Sequence, residues 1–396
     1  MKKLILFSIL TFILSAITFS QQYGWTDISA NIPGNPSLSD VFFVSDNEGW
    51  ITSSSHAEIY HTTDGGETFE IQTTLYTCNA IHMLNENVGY AGGASGFIYK
   101  TTDGGEHWTH HGSISTTLAD ISFPPTGDTG YACGFNGNIW SITSTGIDKM
   151  ISNVNGDLGS ISFPINSEEG WVCGGSVLLH FFNNEWLGDQ LRPAGGYNAI
   201  CMVDTLNGWE VGDNGIIIHT SNGWEWFEQT NPDPQSRTFF DIFFLNTNEG
   251  WAVGIGGIIL HTTNGGTTWL MEGTELTTES IAGVHFTSPA NGYAVGRHKT
   301  LLKYGEISGM GDEIEPLKFD IYPNPASYEF RVLSSEFRVS GATLQLFKAD
   351  GRMLLEKTIP KGSEEITVDV RSLHSGLYFC RITVGNKSVT KKLVIK

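Results

Sequence analysis

The sequence predicts an all-β chain, a seven-bladed β-propeller followed by a small immunoglobulin-like β-sandwich. Three observations predict it. A Gly followed by Trp or Tyr recurs at Trp50, Tyr90, Tyr131, Trp171, Trp209, Trp251 and Tyr293, at intervals of 40, 41, 40, 38, 42 and 42 residues. Short apolar runs separated by Gly, Asn and Asp flank each pair, as strands joined by tight turns require. The charge balance also reverses near residue 317: residues 21–316 hold 7 Lys or Arg against 34 Asp or Glu, and the remainder holds 13 against 8.

The chain opens on Met1-Lys2-Lys3, an apolar run from Leu4 to Phe19, and small residues at Thr18 and Ser20. That is the pattern of a signal peptide over residues 1–20, cleaved before Gln21. The apolar run is shorter than the roughly 20 residues a membrane span needs, so no transmembrane segment is expected after cleavage.

Residues 21–305 carry the repeats. About ten residues before each Gly–aromatic pair lies an apolar run, such as DVFFVS from Asp40, DISFPP from Asp120 or DIFFLN from Asp241. A small-residue strand follows the pair, and then an apolar strand such as IILHTT. One such sheet cannot bury both faces, and a closed ring of them leaves no face uncovered. The last repeat stops at KYGEI and lacks a fourth strand. Tyr23-Gly24-Trp25-Thr26-Asp27 resembles the missing piece. The sequence therefore predicts that Trp25 closes the ring beside Tyr304 and hides two sheet edges.

Four third strands run into a turn: HTTDGGETF from His61, KTTDGGEHW from Lys100, HTTNGGTTW from His261 and a degraded HTSNGWEWF from His219. In the last of these, Trp224 is read as occupying a Gly position. These are Asp-box patterns, in which a carboxylate or amide caps backbone N–H groups, glycines take positive φ and an aromatic packs between blades. Asp64, Gly66 and Phe69, Asp103, Gly105 and Trp108, and Asn264, Gly266 and Trp269 are assigned that structural role.

Residues 306–316 read as an acidic, Gly-containing linker. Residues 317–396 contain FDIYPNP, LQLFKADGRML, GLYFCRI and a terminal KKLVIK, with turns such as Asp350-Gly351 between alternating strands. That pattern gives an antiparallel sandwich of about seven strands.

Residues 40–305 resemble the photosystem II assembly and stability factor-like propellers, relatives of bacterial neuraminidase repeat proteins, through the Gly–aromatic pairs and the Asp-box stretches. Residues 317–396 resemble the type A sorting domain of the type IX secretion system. The second resemblance implies export through the periplasm and across an outer membrane, with release or surface attachment, and a partnership between residues 317–396 and the secretion machinery.

The charge distribution argues against nucleic acid as a partner, because so acidic a surface repels phosphate. Cys78, Cys133, Cys173, Cys201 and Cys380 lie outside any zinc-ligand spacing. Cys133 and Cys173 fall at matching repeat positions, so they are either buried thiols or an inter-blade disulfide. His61, His180, His219 and His261 share one repeat position and cannot converge on a metal. His107, His110 and His111 have no acidic partner at ligand spacing, and neither a metal nor a cofactor is expected. Arg192, Arg237 and Arg297 sit outside any sialidase context, and the repeat count differs from the six blades of sialidases.

The resulting expectation is a non-enzymatic propeller that binds an unidentified protein or glycan through the loops between second and third strands. The contact residues expected are Ser55, His56, Phe135, Asn136, Asp213, Asn214, Arg297 and His298. A neuraminidase-like glycoside hydrolase is the first alternative, and a surface assembly or adhesion scaffold the second.

Overall fold

A computed structural model of the chain describes residues 23–307 and 319–396, apart from 125–126, 165–167, 189–191, 274, 335–336, 338–340, 349–351, 364 and 385–386. The expected signal peptide, most of the expected linker and the expected Asp350-Gly351 turn lie outside the described residues. The chain divides into two compact units, Met1–Ser308 and Gly309–Lys396. Among the described residues both are built of strands, with a few short 3-10 turns and no α-helix, and no helix is long and apolar enough to cross a membrane.

The described residues of the first unit form seven four-stranded antiparallel sheets. The first sheet comprises Leu38–Phe43, Gly49–Ser53, Glu58–Thr62 and Glu70–Thr73. We number the sheets, or blades, 1 to 7 in chain order. The first strands of successive blades pack on one another, and that of blade 7, Ile281–Ser288, packs on that of blade 1, so the ring closes. Tyr23–Asp27 supplies the fourth strand of blade 7, with Trp25 opposite Tyr304 and 7% exposed, as the sequence predicts. Trp50, Trp171, Trp209 and Trp251 are fully buried between blades.

The three Thr–Asp/Asn–Gly–Gly turns are joints between blades as well as hairpins. Asp64 Oδ1 accepts the Thr68 N–H at 2.9 Å, and Thr62 Oγ1 accepts the Gly66 N–H at 2.9 Å. Asp103 and Asn264 do the same for the His107 and Thr268 N–H groups. The carbonyl of each first glycine then accepts a bond from the preceding blade. Tyr293 Oη donates to Gly65 O at 2.9 Å, Trp50 Nε1 to Gly104 O at 2.9 Å and Trp209 Nε1 to Gly265 O at 3.2 Å. Phe69, Trp108 and Trp269 pack in the inter-blade cores beside these same aromatics.

Blade 5 departs from the reading that Trp224 replaces a glycine. His219 pairs with Phe227, where His61 pairs with Glu70. The turn is one residue shorter, so Trp226 takes the buried aromatic slot while Phe227 is exposed. Blade 5 thus lacks the docking carbonyl, and Trp171 Nε1 of blade 4 is left buried without a partner among the described residues.

The second unit carries one sheet of Asp320–Tyr322, Glu329–Leu333 and Glu365–Asp369. The other holds Met353–Ile359, Ala342–Lys348, Gly376–Val384 and Lys387–Ile395. Phe319, Phe330, Phe337, Leu344, Leu346, Ile382 and Leu393 form their common core. Asn324 of the YPNP segment binds the last strand through Lys392 O at 2.8 Å and the Val394 N–H at 3.0 Å.

Candidate functional site

The first strand of each blade lines the ring's central channel, and its polar side chains bond to the backbone of the next blade. Asp40, Asp120 and Asp241 are the third residues of equivalent strands. In each, one carboxylate oxygen accepts the N–H of the following residue. The other accepts an N–H of the next blade, from Ile81, Ile161 and Val284 respectively, each at 2.8 Å. Two residues further on, Ser122, Ser162, Cys201 and His285 accept N–H groups of Phe163, Met202, Phe244 and Phe43. One residue before the Asp position, Ser39, Asn79 and Asn198 donate to carbonyls of Cys78, Leu118 and Phe239. Each junction of the ring has at least one such tie.

These carboxylates lie deep in the ring, and desolvation shifts them. Burial, reinforced by Asp120, raises Asp40 well above the carboxylate range. Burial lifts Asp120 to about 6 and Asp241 to about 7, against the lowering effect of their backbone bonds. Burial also depresses the channel imidazoles, His82 to about 4 and His285 to about 3. Phe243, His285, Phe42 and His82 follow one another along the wall with ring centroids 4.8–4.9 Å apart.

At the channel mouth, blades 7 and 1 frame an open cleft of about 670 Å³. It brings together three of the sequence-predicted contacts, Ser55, Arg297 and His298, with Ser37, Ser39, Phe240 and Ser280. Ser39, Phe240 and Ala282 also line the upper channel, next to Asp40, Asp120 and Asp241. His56 lies beside the cleft through a 2.9 Å bond from its Nδ1 to Ser55 Oγ. Asp213 and Asn214 line a separate depression of about 350 Å³ with Gly196, Asn231 and Ser236. Phe135 is exposed at 46%, the Asn136 N–H is held by Asp157, and neither residue lines these two sites. The eight predicted contacts therefore divide among three places.

The histidines shared by four blades are structural. Each stacks on the Trp of its own blade, at 4.6 Å for Trp50–His61 and Trp209–His219, 4.3 Å for Trp171–His180 and 4.5 Å for Trp251–His261. Where the aromatic is Tyr90 or Tyr293, Lys100 or Lys303 takes the place of His and lies over the ring. One expectation needs correction: His107 does have acidic neighbours. The turn folds Asp103 back to 2.8 Å from His107 Nδ1, and Glu106 joins them within 4.8 Å. Asp103 is half-buried and bonded to the exposed His107, Glu106 is exposed beside them, and no ligand is implied. All five cysteines are unpaired thiols, and Cys133 and Cys173 are fully buried.

The channel Asp and His residues escaped the sequence reading. The signal was the Asp that opens the apolar runs at 40, 120 and 241. Its acceptor role involves an N–H about 40 residues away, which no local pattern displays.

Comparison with known proteins follows the two units. Residues 320–396 match the family of secretion system C-terminal sorting domains. Residues 183–276 match the photosynthesis system II assembly factor YCF48 family. No protein of curated function matches the chain. Among solved structures, YCF48 bound to D1 peptide is 21% identical, with a TM-score of 0.60 over 71% of this chain and 96% of that one. YCF48 from Cyanidioschyzon merolae is 16% identical, with a TM-score of 0.59 over 72% of this chain and 100% of that one. PorZ, a surface component of the type IX secretion system of Porphyromonas gingivalis, is 15% identical, with a TM-score of 0.52. That match covers 92% of this chain and 60% of PorZ. At these identities the likeness shows the fold. The chain is a secreted or cell-surface β-propeller protein with a type IX sorting tail, through which it engages the secretion machinery.

Proposed function

We propose that the propeller is a non-enzymatic binding module, carried outside the cell by its sorting tail, that takes a protein or glycan ligand at the mouth between blades 7 and 1. The observation that carries this reading is the use already made of the carboxylates nearest that mouth. Asp40, Asp120 and Asp241 each accept backbone N–H groups with both oxygens. A glycosidase needs two carboxyl groups facing a scissile bond and free to exchange protons, and the residues lining the cleft include no carboxylate. The cleft instead offers serine hydroxyls, one aromatic ring and a guanidinium. That a structure of the same fold is solved with a peptide bound supports a recognition role. Purified mature chain incubated with glycan and peptide panels should retain a ligand without changing its mass. A cleavage product that disappears on Asp241→Asn would overturn the reading.

A further inference from the structure

We propose that the cleft between blades 7 and 1 recognises an isolated carboxylate on an otherwise neutral glycan, with Arg297 as its counter-ion. This rests on the binding-module reading and names the ligand class.

The count of cations singles out Arg297. Residues 21–316 contain seven Lys or Arg. Arg192 is paired with Glu210 and Arg237 with Asp233. Lys303 donates to Gly65 O, and Lys100 lies over the Tyr90 ring. Lys149, Arg297 and Lys299 have no side-chain acceptor among the described residues, and of these Arg297 lines the cleft. A guanidinium matches a carboxylate in a two-point fork. Glu279, beside Ser280 of the cleft wall, lies 2.9 Å from His298 Nδ1.

The backbone under Arg297 departs from the other blades. A two-residue hairpin turn with positive φ at both central positions favours Asn-Gly, and Asn136-Gly137 and Asn214-Gly215 occupy such turns. In blade 7 the two positions are His298 at φ 51 and Lys299 at φ 57. Two bulky residues hold a conformation that suits glycine, in a loop that presents Arg297 to the cleft.

The remaining walls select the rest of the ligand. Ser39, Ser54 and Ser55 already bond within the protein. That leaves the Ser37 and Ser280 hydroxyls, without partners among the described residues, to line the cleft with the Phe240 ring, hydroxyls and one apolar face suited to sugar rings. An extended peptide would dock by pairing with a strand edge, but Asp40, Asp241 and His285 already occupy N–H groups of the inner strands here. Polyanions are disfavoured by the excess of 27 acids over bases in residues 21–316, so one sparse carboxylate fits better than a run of charge.

The test uses the mature full-length chain and calorimetric titration. One probe is an oligosaccharide alternating glucuronate with a neutral sugar, and the second is its carboxyl-reduced form. The third is a peptide pair with a free or amidated C-terminus. The glucuronate probe should bind at least tenfold tighter than the reduced form and weaken as salt rises. Arg297→Gln should abolish that difference, Arg297→Lys should restore part of it, and Lys149→Gln should leave it intact, with all variants melting as the wild type does. Equal affinity for the two sugars, no binding of glucuronate at millimolar concentration, or indifference to Arg297→Gln would overturn the inference and leave the binding module standing. Tighter carboxylate-dependent binding of the peptide would also overturn it. Cleavage of a probe would instead sink the binding-module reading.

Discussion

Lys299 and His82 show how single positions trade stability against polarity. A non-glycine residue in the left-handed region costs about 1 kcal/mol. Lys299→Gly relieves that strain but gives the unfolded chain more freedom. The net expectation is a gain of about 0.5 kcal/mol, read as a higher urea midpoint. His82 packs between Phe42 and Phe123, at 4.8 and 5.4 Å, with its imidazole held near pKa 4 by burial. Its folded pKa lies below the unfolded value of about 6.5. The unfolded chain therefore binds the extra proton, and His82 costs stability as pH falls from about 6.5 toward 4. The channel carboxylates act in the opposite sense. Asp120 and Asp241, raised to about 6 and about 7, favour the folded state as pH falls through the same window. The two effects offset one another in the wild type. His82→Phe, which copies Phe42 and Phe243 of other blades, removes one side of that balance. Relative to wild type it should gain about 3 kcal/mol at pH 4 over its standing at pH 7. An unchanged difference between the two pH values would contradict burial as the cause.

The hairpin turn is the element that joins the blades, and its second glycine is the test of that role. Gly266 has φ +81, and a Cβ there would lie 1.9 Å from Gln229 Oε1, the group that accepts Trp269 Nε1–H and whose amide donates to Gly265 O. Gly266→Ala should cost about 2–3 kcal/mol from backbone strain and displacement of Gln229. Combining it with Gln229→Ala should cost less than the sum of the two single changes, since the collision is then gone and only the φ strain remains. Strictly additive melting shifts would show that the two residues do not meet. This element also shows what could be read in advance. The spacing of Gly–aromatic pairs, the missing fourth strand and its replacement at Trp25 are written in local residue types, and each is found. The register of blade 5 was not legible. Two aromatics, Trp226 and Phe227, stand side by side, and pairing of His219 with Phe227 chooses between them. Of the predicted contacts, Ser55, Arg297 and His298 meet because blades 7 and 1 are neighbours in the ring, whereas Phe135 and Asn136 project from blade 3. The channel ties were invisible because each joins residues about 40 positions apart.

At the scale of the ring, the seven junctions are unequally sealed, and the closure is not the weak one. Blade 7 meets blade 1 through Tyr293 Oη and Lys303 Nζ on Gly65 O, Thr287 Oγ1 on Asp46 and Asn31 Nδ2 on Gly66 O. Trp25 packs edge-on against Phe286 and Tyr304 at 5.6 and 5.3 Å. The junction of blades 4 and 5 is poorer. Trp171 Nε1 and Trp226 Nε1 are buried without partners among the described residues. Glu210 stands where blades 3 and 6 place Ala132 and Ala252, and its ion pair with Arg192 leaves Glu210 Oε1 and Arg192 Nη2 unpartnered among the described residues. Burial outweighs the attraction of Arg192 and lifts Glu210 to about 7. Each buried unpaired polar group costs about 1–3 kcal/mol. Blades 6 and 7 also bury Trp25 Nε1, Trp251 Nε1, His261 Nε2 and Glu272 Oε2 without partners among the described residues. Glu210 and Arg192 are the more fully buried charges. An unsatisfied buried charge costs more than a neutral group, so local opening should begin between blades 4 and 5. In native-state hydrogen exchange, amides of Ser160–Ser162 and Tyr197–Met202 should exchange at lower denaturant than those of Ile281–Ser288. Trp25→Ala removes a buried indole from the closing blade, worth about 3 kcal/mol, and should move the first opening to blade 7. If Ile281–Ser288 already exchanges first in the wild type, the hydrogen bonds across the closure contribute less than the buried defects of the fourth junction cost.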